Sequence, residues 1–263
     1  MNKNYALITG STAGIGLDIA KELASRGHNI LLTARREDRL KDIAEQLTTD
    51  FGVEADYVVA DLGDSNVPGI IFDFCASNNY IVDILVNNAG YSINKKFHET
   101  DEDEEEKFLR VLGIGVIALT KRFIPSMLQH KSGKIMLVSS LAAFAPPARG
   151  ALYGPVKTFV NRFGEALNLN YRSHGISATN VCPGFTVTEF HTASGMQDAM
   201  DKVPSFMKKD SKTVAKGAVD AMMKGKSAWV PGLLNKTIAF LCNNLPTSLV
   251  IKMSSSLAGG RYE

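Results

Sequence analysis

Cysteine and histidine are scarce in this chain, and neither forms a recognisable site. The three cysteines, Cys75, Cys182 and Cys242, lie far apart with no Cys-x-x-Cys pair. That spacing speaks against a disulfide framework or a structural zinc site and suits reduced thiols. The five histidines (His28, His98, His130, His174 and His191) contain no His-Glu-x-x-His pair, so each reads as a surface or loop residue and no metal is expected. A Gly-x-Ser-x-Gly nucleophile elbow is also missing. Charge of one sign is not in excess: 29 basic residues face 27 acidic ones, mostly interspersed, which argues against a nucleic-acid partner. No apolar run approaches the roughly 18 residues of a spanning helix. The longest one near the C-terminus, residues 237–251, is broken by Asn243, Asn244 and Pro246. The first residues enter an apolar strand without a charged leader, so no secretory signal is expected and the cytoplasm is the default location.

What is present is alternation. The 263 residues, 45% hydrophobic, suffice for one large domain over 1–263, with no repeat or linker. Short β-branched runs at residues 5–9, 29–33, 55–60, 81–86, 134–139, 177–182 and 227–230 are separated by apolar residues at helical spacing. Ile15, Ile19 and Leu23 share one helix face, and Leu40, Ile43, Ala44 and Leu47 another. Apolar strands divided by helices imply a doubly wound α/β fold, a parallel sheet of about seven strands covered on both faces. Its ligands bind beyond the strand C-termini. The acidic run at 99–106 reads as a solvated helix start, with Thr100 as cap, carboxylates at the positive end of the helix dipole, and Phe97 and Phe108 packing around it.

Between the first strand and the first helix lies Thr9-Gly10-Ser11-Thr12-Ala13-Gly14-Ile15-Gly16. Gly10 permits a tight turn, Gly14 lets backbone approach a pyrophosphate, and Gly16 permits close helix–strand contact. The helix N-terminus then offers free N–H groups to the anion. The second strand ends at Ala34-Arg35-Arg36, where an NAD-preferring fold usually carries an acid for the ribose 2′-hydroxyl. Ala34 leaves room, and Arg35, with Arg36 beside it, suits a 2′-phosphate, so NADP(H) is expected over NAD(H).

Tyr153 and Lys157 stand at i and i+4, on one face of a helix whose start tolerates Pro155. Alone the pair is weak, since about half of one such match arises by chance at this composition. Ser139 and Ser140 strengthen it by ending an apolar strand where an α/β sheet places its site. A serine hydroxyl there polarises a carbonyl while Tyr153 donates a proton. A nearby ammonium would favour the phenolate.

Taken together, the phosphate loop, Asp61-Leu62, Asn87-Asn88-Ala89-Gly90, Ser140, Tyr153/Lys157 and Pro183-Gly184 with Thr188 resemble the short-chain dehydrogenase/reductase family over about residues 5–190. The resemblance implies that Asp61 and Leu62 meet the adenine and that Asn87, Ala89 and Gly90 border the ribose and phosphates. It implies that Lys157 holds the nicotinamide ribose, and that Thr188, with the backbone from Pro183 through Gly184 to Thr186, holds the carboxamide. Ser140 stands thirteen residues before Tyr153, the family interval, and is preferred over Ser139. A homodimer or homotetramer through long helices at 100–129 and 152–173 is implied in the same way.

One departure stands out. The family's usual asparagine in the helix before the serine strand falls on Leu112, which cannot hydrogen-bond. Gly113 and Gly115 flank it and weaken a regular helix, so a distorted turn could offer a backbone carbonyl instead. The expected activity is hydride transfer between nicotinamide and a small, apolar carbonyl or alcohol. Residues 142–150, 91–96 and a lid at about 190–210, with Met196, Met200, Phe206 and Met207, form the expected pocket. A cofactor-binding regulator with little turnover is the alternative, kept open by Leu112, and an isomerase or dehydratase using the cofactor transiently is a third.

Overall fold

The computed structural model describes residues 4–145 and 150–257. The chain alternates strand and helix from its start: β1 (Asn4–Thr9), α1 (Gly14–Ala24), β2 (Asn29–Ala34), α2 (Glu37–Phe51), β3 (Ala55–Val59), α3 (Val67–Ser77) and β4 (Ile81–Asn87). A long helix follows in three parts: α4 (Glu102–Leu109), a π turn over Arg110–Ile114, and α5 (Gly115–His130). Then come β5 (Gly133–Val138), α6 (Tyr153–Tyr171), β6 (Ile176–Val181), β7 (Thr186–Val187), α7 (Glu189–Ala193) and α8 (Gln197–Asp201). The chain ends with β8 (Lys209–Asp210), α9 (Ser211–Met223), β9 (Ala228–Trp229), α10 (Leu233–Asn244) and α11 (Thr247–Leu257).

Seven strands form one parallel sheet in the order β3-β2-β1-β4-β5-β6-β9. Each seven-strand expectation from the sequence lands on one of these strands to within two residues. The two-residue strands β7 and β8 pair separately into a small ribbon beside α9. Alternate strand residues feed two cores. Leu7, Leu85, Ile135 and Leu137 pack under α5 and α6, whereas Ile8, Leu32, Val86 and Met136 pack under α1, α2 and α9. The helix stripes read from the sequence bury as expected, with Ile19, Leu23, Leu40 and Leu47 all in the second core.

Strand order reverses between β1 and β4, which opens a crevice at their C-terminal ends. Close helix–sheet contact on either side demands small residues. A side chain at Gly164 would lie 2.2 Å from Asn180 Oδ1, and one at Gly217 would meet the Trp229 ring. α6 can therefore sit low on β6, which fixes the height of Tyr153 and Lys157 at its first turn.

Three local expectations are corrected. Asp101, not Thr100, caps α4: its carboxylate accepts from Glu104 N–H at 2.7 Å, while Thr100 donates to Phe97 O and Glu105. Phe97 projects into solvent, and only Phe108 is buried. His191 is helical, on α7, with a buried Nδ1 that has no hydrogen-bond partner. The stretch Glu102–His130 is long and apolar enough to cross a membrane by composition, a window hidden from a search for uninterrupted apolar runs by residues such as Lys121 and Arg122. More than half of it is buried, with Leu119, Phe123 and Met127 packed into the first core, which identifies it as a core helix.

Candidate active site

The phosphate loop is pinned to the loop after β4. Thr9 Oγ1 accepts from the N–H groups of Asn88 and Ala89, at 2.9 and 3.0 Å, and donates to Val86 O. Asn88 returns the contact through its amide, donating to Thr9 O and Gly10 O. The fit leaves no room for a Cβ: one at Gly10 would lie 2.8 Å from Ala89 Cα, and one at Gly16 2.4 Å from Gly10 O. Gly10 and Gly14 also hold positive φ, 66° and 56°, which other residues adopt only with strain. The cradle thus faces the helix N-terminus of α1 bare of side chains, which fits a pyrophosphate.

Thr188 closes the far side of this cradle, its Cβ 3.0 Å from where a side chain on Gly14 would begin. Its hydroxyl accepts from Phe190 N–H and starts α7. The Asn87 side chain is buried and donates to Thr120 Oγ1 on α5, at 3.2 Å. Asn88 and Thr9, which the motif reading passed over, do the joining.

At the adenosine end, Asp61 is engaged by Gly63 N–H and by Lys107, with Arg35 4.0 Å away. Burial pushes its carboxyl up, but the N–H and the ammonium outweigh that and hold it below the usual range. Leu62 is buried beside it. Arg35 is largely in solvent, at the limit of ion-pair reach from Asp61. Arg36 is already committed. It donates to Thr12 Oγ1 at 3.0 Å and reaches Glu189 at 3.3 Å, and Arg39 reaches the same carboxylate at 3.0 Å. Glu189 thus ties the start of α2 to the first turn of α7. The sequence carried no signal for it, because the pair is 153 residues apart.

The geometry separates the two serines. Ser139 is buried and donates to Lys157 O, whereas Ser140 caps the 3₁₀ turn Leu141–Ala143, accepting from Ala142 N–H, and its hydroxyl lies beside Tyr153. Tyr153 sits in an aromatic frame, its centroid 6.5 Å from Phe108 and 6.1 Å from Phe190. Burial pushes the phenol up to about 12, against a smaller lowering by Ser140. The expected lowering by lysine does not appear. Lys157 Nζ lies 5.7 Å from the ring centroid and donates to Val138 O at 2.8 Å. Burial holds its own pKa down at about 8, with the Cys182 thiol opposing.

The segment expected as a lid is held at its start. Ser92 N–H donates to Ser194 Oγ, and Asn94 donates to Gly195 O, so the loop after β4 clasps the segment after α7. Met200 is buried and Met196 half-buried, whereas Phe206 is exposed. Of the expected pocket, residues 146–149 lie outside the described residues.

The Leu112 position is resolved as a π turn. Gly115 N–H donates to Arg110 O, five residues back, so the regular ladder is interrupted beside the site. Leu112 itself is buried, its Cγ 3.5 Å from the Cβ position of Gly90. The distorted turn expected from Gly113 and Gly115 is present.

A family model described as short chain dehydrogenase matches residues 4–199. The chain belongs to that family. It is an NAD(P)-dependent oxidoreductase of the short-chain dehydrogenase/reductase type. The very-long-chain 3-oxoacyl-CoA reductase of Anas platyrhynchos is 30% identical over 95% of this chain and 78% of its own. The fatty acyl-CoA reductase of Acinetobacter baylyi is 32% identical over 67% of this chain and 60% of its own. Among solved structures, a short-chain dehydrogenase from Sphingobium yanoikuyae in complex with NADPH superposes with a TM-score of 0.82 at 25% identity, covering 92% of this chain and 96% of its own. The L-sorbose reductase of Gluconobacter frateurii, complexed with NADPH and L-sorbose, gives 0.77 at 25% identity, with 86% and 94% covered.

Two predictions follow from this geometry. Lys157 has a folded pKa below its unfolded value, so at pH 7 its charge opposes folding, and the opposition fades as pH rises from about 8 to 10.5. Lys157→Met is expected to abolish turnover yet stabilise the fold by about 2 kcal/mol at pH 7, after loss of the Val138 hydrogen bond is set against relief of the charge. The gain should shrink toward pH 10. Urea titration across pH checks it, and a destabilised variant at pH 7 refutes it. The second prediction concerns Leu112→Asn, which should alter single-turnover hydride transfer by less than about tenfold, because the turn supplies its free groups from the main chain. A large gain confined to the proton-transfer limb of the pH profile would show an impaired relay.

Proposed function

We propose that this chain is an NADPH-dependent reductase of an apolar ketone, with Tyr153 as the general acid and 3-oxoacyl thioesters as the first substrates to try. The observation that carries the reading is Tyr153 buried in a frame of Phe108 and Phe190 with the Ser140 hydroxyl beside it. A phenol kept protonated by burial is a proton donor in wait, and Ser140 polarises the carbonyl it protonates. Lys157 restores the proton and orients the sugar next to the reacting ring. The nicotinamide, when bound, supplies the hydride. In the reverse direction the same phenol, once ionised, accepts the proton of an alcohol.

The open Arg35 guanidinium and the absence of an acid at Ala34 support NADP(H) over NAD(H). The aromatic walls Tyr91, Phe108 and Phe190 support an apolar substrate, as do the names of the acyl-CoA reductases among the relatives. Self-association through the long helices is supported by exposed Ile114 and Ile117 on one, and Phe159 and Leu169 on the other. Three unpaired thiols support a cytoplasmic setting.

The function is tested by NADPH oxidation with 3-oxoacyl thioesters of rising chain length, beside a polyol ketone. Rates are expected to rise with chain length, and Tyr153→Phe should lose about a hundredfold or more while still binding NADPH. A Tyr153→Phe variant that keeps most of the rate overturns the catalytic assignment. Binding of NADPH without turnover on any carbonyl favours the regulatory alternative. Cofactor choice is tested separately. NADPH should bind about tenfold or more tighter than NADH, a difference of about 1.4 kcal/mol, and Ala34→Asp with Arg35→Ala should close the gap. Equal affinities in the unaltered chain would sink this part.

A further inference from the structure

The C-terminal helices carry apolar surface that the fold does not use. On α10, Asn235 and Ala239 face the protein, Asn235 lying against Gly184, while Leu233 is 81% and Phe240 65% exposed. On α11, Val250 is buried while Leu249 and Ile251 are open. The β7–β8 ribbon continues this surface. Lys209 N–H donates to Phe185 O, a side chain at Gly232 would lie 3.4 Å from Lys209 Cε, and Phe206 and Val187 project outward with 71% and 58% exposure. The ribbon and the start of α10 adjoin, because Gly232, beside Lys209, leads directly into α10, and α11 follows α10 after two residues.

Its charge is one-sided. Residues 202–252 carry nine lysines, among them Lys208, Lys209, Lys236 and Lys252, against two carboxylates, Asp210 and Asp220. The nearest carboxylate of the ribbon, Asp210, is spent capping α9, where it accepts from Thr213 N–H at 2.8 Å. The whole chain is nearly neutral, so this bias is local.

We propose that α10, α11 and the β7–β8 ribbon form a docking surface for an anionic lipid bilayer. Leu233, Phe240 and Phe206 would enter the acyl boundary while lysine stems lie along them and ammoniums meet lipid phosphates. The charge decides against a second copy of the chain as occupant. A two-fold contact would set this lysine-rich face against itself and bring lysine opposite lysine. A bilayer with anionic headgroups answers every one of those charges.

The placement has a consequence for substrate entry. α10 packs on the 3₁₀ turn that follows Ser140, and Asn235 touches Gly184 in the segment leading to Thr188. The docked face therefore lies beside the turn that carries Ser140, the side from which an apolar chain in the bilayer would approach Tyr153. The docking itself stands independently of the proposed activity and is read without turnover.

The test is co-sedimentation of the full chain with vesicles of phosphatidylcholine alone, or mixed with phosphatidylglycerol. Binding is expected only with phosphatidylglycerol and should weaken as salt rises through the Debye range. Lys236→Glu should weaken it about fivefold or more. Leu233→Ser with Phe240→Ser should abolish it while NADPH binding and oligomer size stay unchanged. No binding at low salt, or equal binding to neutral vesicles, overturns the proposal. So does a change of oligomer size in the double serine variant, which would assign the face to a second copy. If the double variant misfolds, the fivefold effect of Lys236→Glu still decides.

Discussion

Everything at the site hangs on the parting of β1 and β4. The two strands run parallel, but the chain after each leads to helices on opposite faces of the sheet, and the loops would separate if nothing crossed between them. Thr9 and Asn88 make the crossing, with one hydroxyl accepting two N–H groups and one amide reaching two carbonyls. These are polar groups at a buried or half-buried junction, so each unmade bond would cost about 1–3 kcal/mol. The glycines at 10 and 16 are consequences of that closeness as much as of the ligand. A Cβ at either would strike the other loop or its own turn before any phosphate arrived.

Much of this was legible because local chemistry and long-range geometry agree. Strand positions followed from β-branched runs, since a strand buried on both faces must be apolar throughout. The phosphate loop and the Tyr153/Lys157 pair could be read because both depend on spacing within one helix or turn. Ser140 needed family spacing to be told from Ser139, and the structure supplies the physical reason: Ser139 is consumed by the Lys157 carbonyl. What stayed hidden depends on side chains meeting across the fold. Glu189 with Arg36 and Arg39, Asn87 with Thr120, and Asp101 in place of Thr100 each turn on a rotamer or a one-residue register. The exposed face of α10 was hidden for another reason. Residues 237–251 read as an interrupted apolar run, and interruption by polar residues is what an amphipathic surface helix looks like.

Leu112 shows how a missing side chain can leave the backbone to answer. Two glycines within a helix cost about 1 kcal/mol each relative to alanine, which a merely structural helix would have no reason to carry. Here Gly113 passes close to Val156 on α6, and Gly115 N–H reaches back five residues to Arg110. The turn swells at the level of the active site, and the leucine side chain fills the space beneath Gly90. Loss of a polar side chain and deformation of the main chain occur at one place, so they are best understood as a single adjustment.

The placement of Lys157 completes the argument from energetics. An ammonium that is 5% exposed, with one carbonyl as its hydrogen-bond partner, is a liability to a fold whose total stability is about 5–15 kcal/mol. Among the described residues no carboxylate pairs with it, and its charge is pushed toward neutrality near physiological pH. An apolar side chain of the same length would pack against Val138 and Cys182 without that cost. Structure alone therefore gives no reason for lysine at this position, whereas proton supply to a phenol one helical turn away does. The neighbouring phenol has the opposite problem, since burial keeps its proton on. A buried base poised to lose a proton beside a buried acid reluctant to do so is an arrangement for moving a proton in either direction, which is what reversible hydride chemistry at a carbonyl requires.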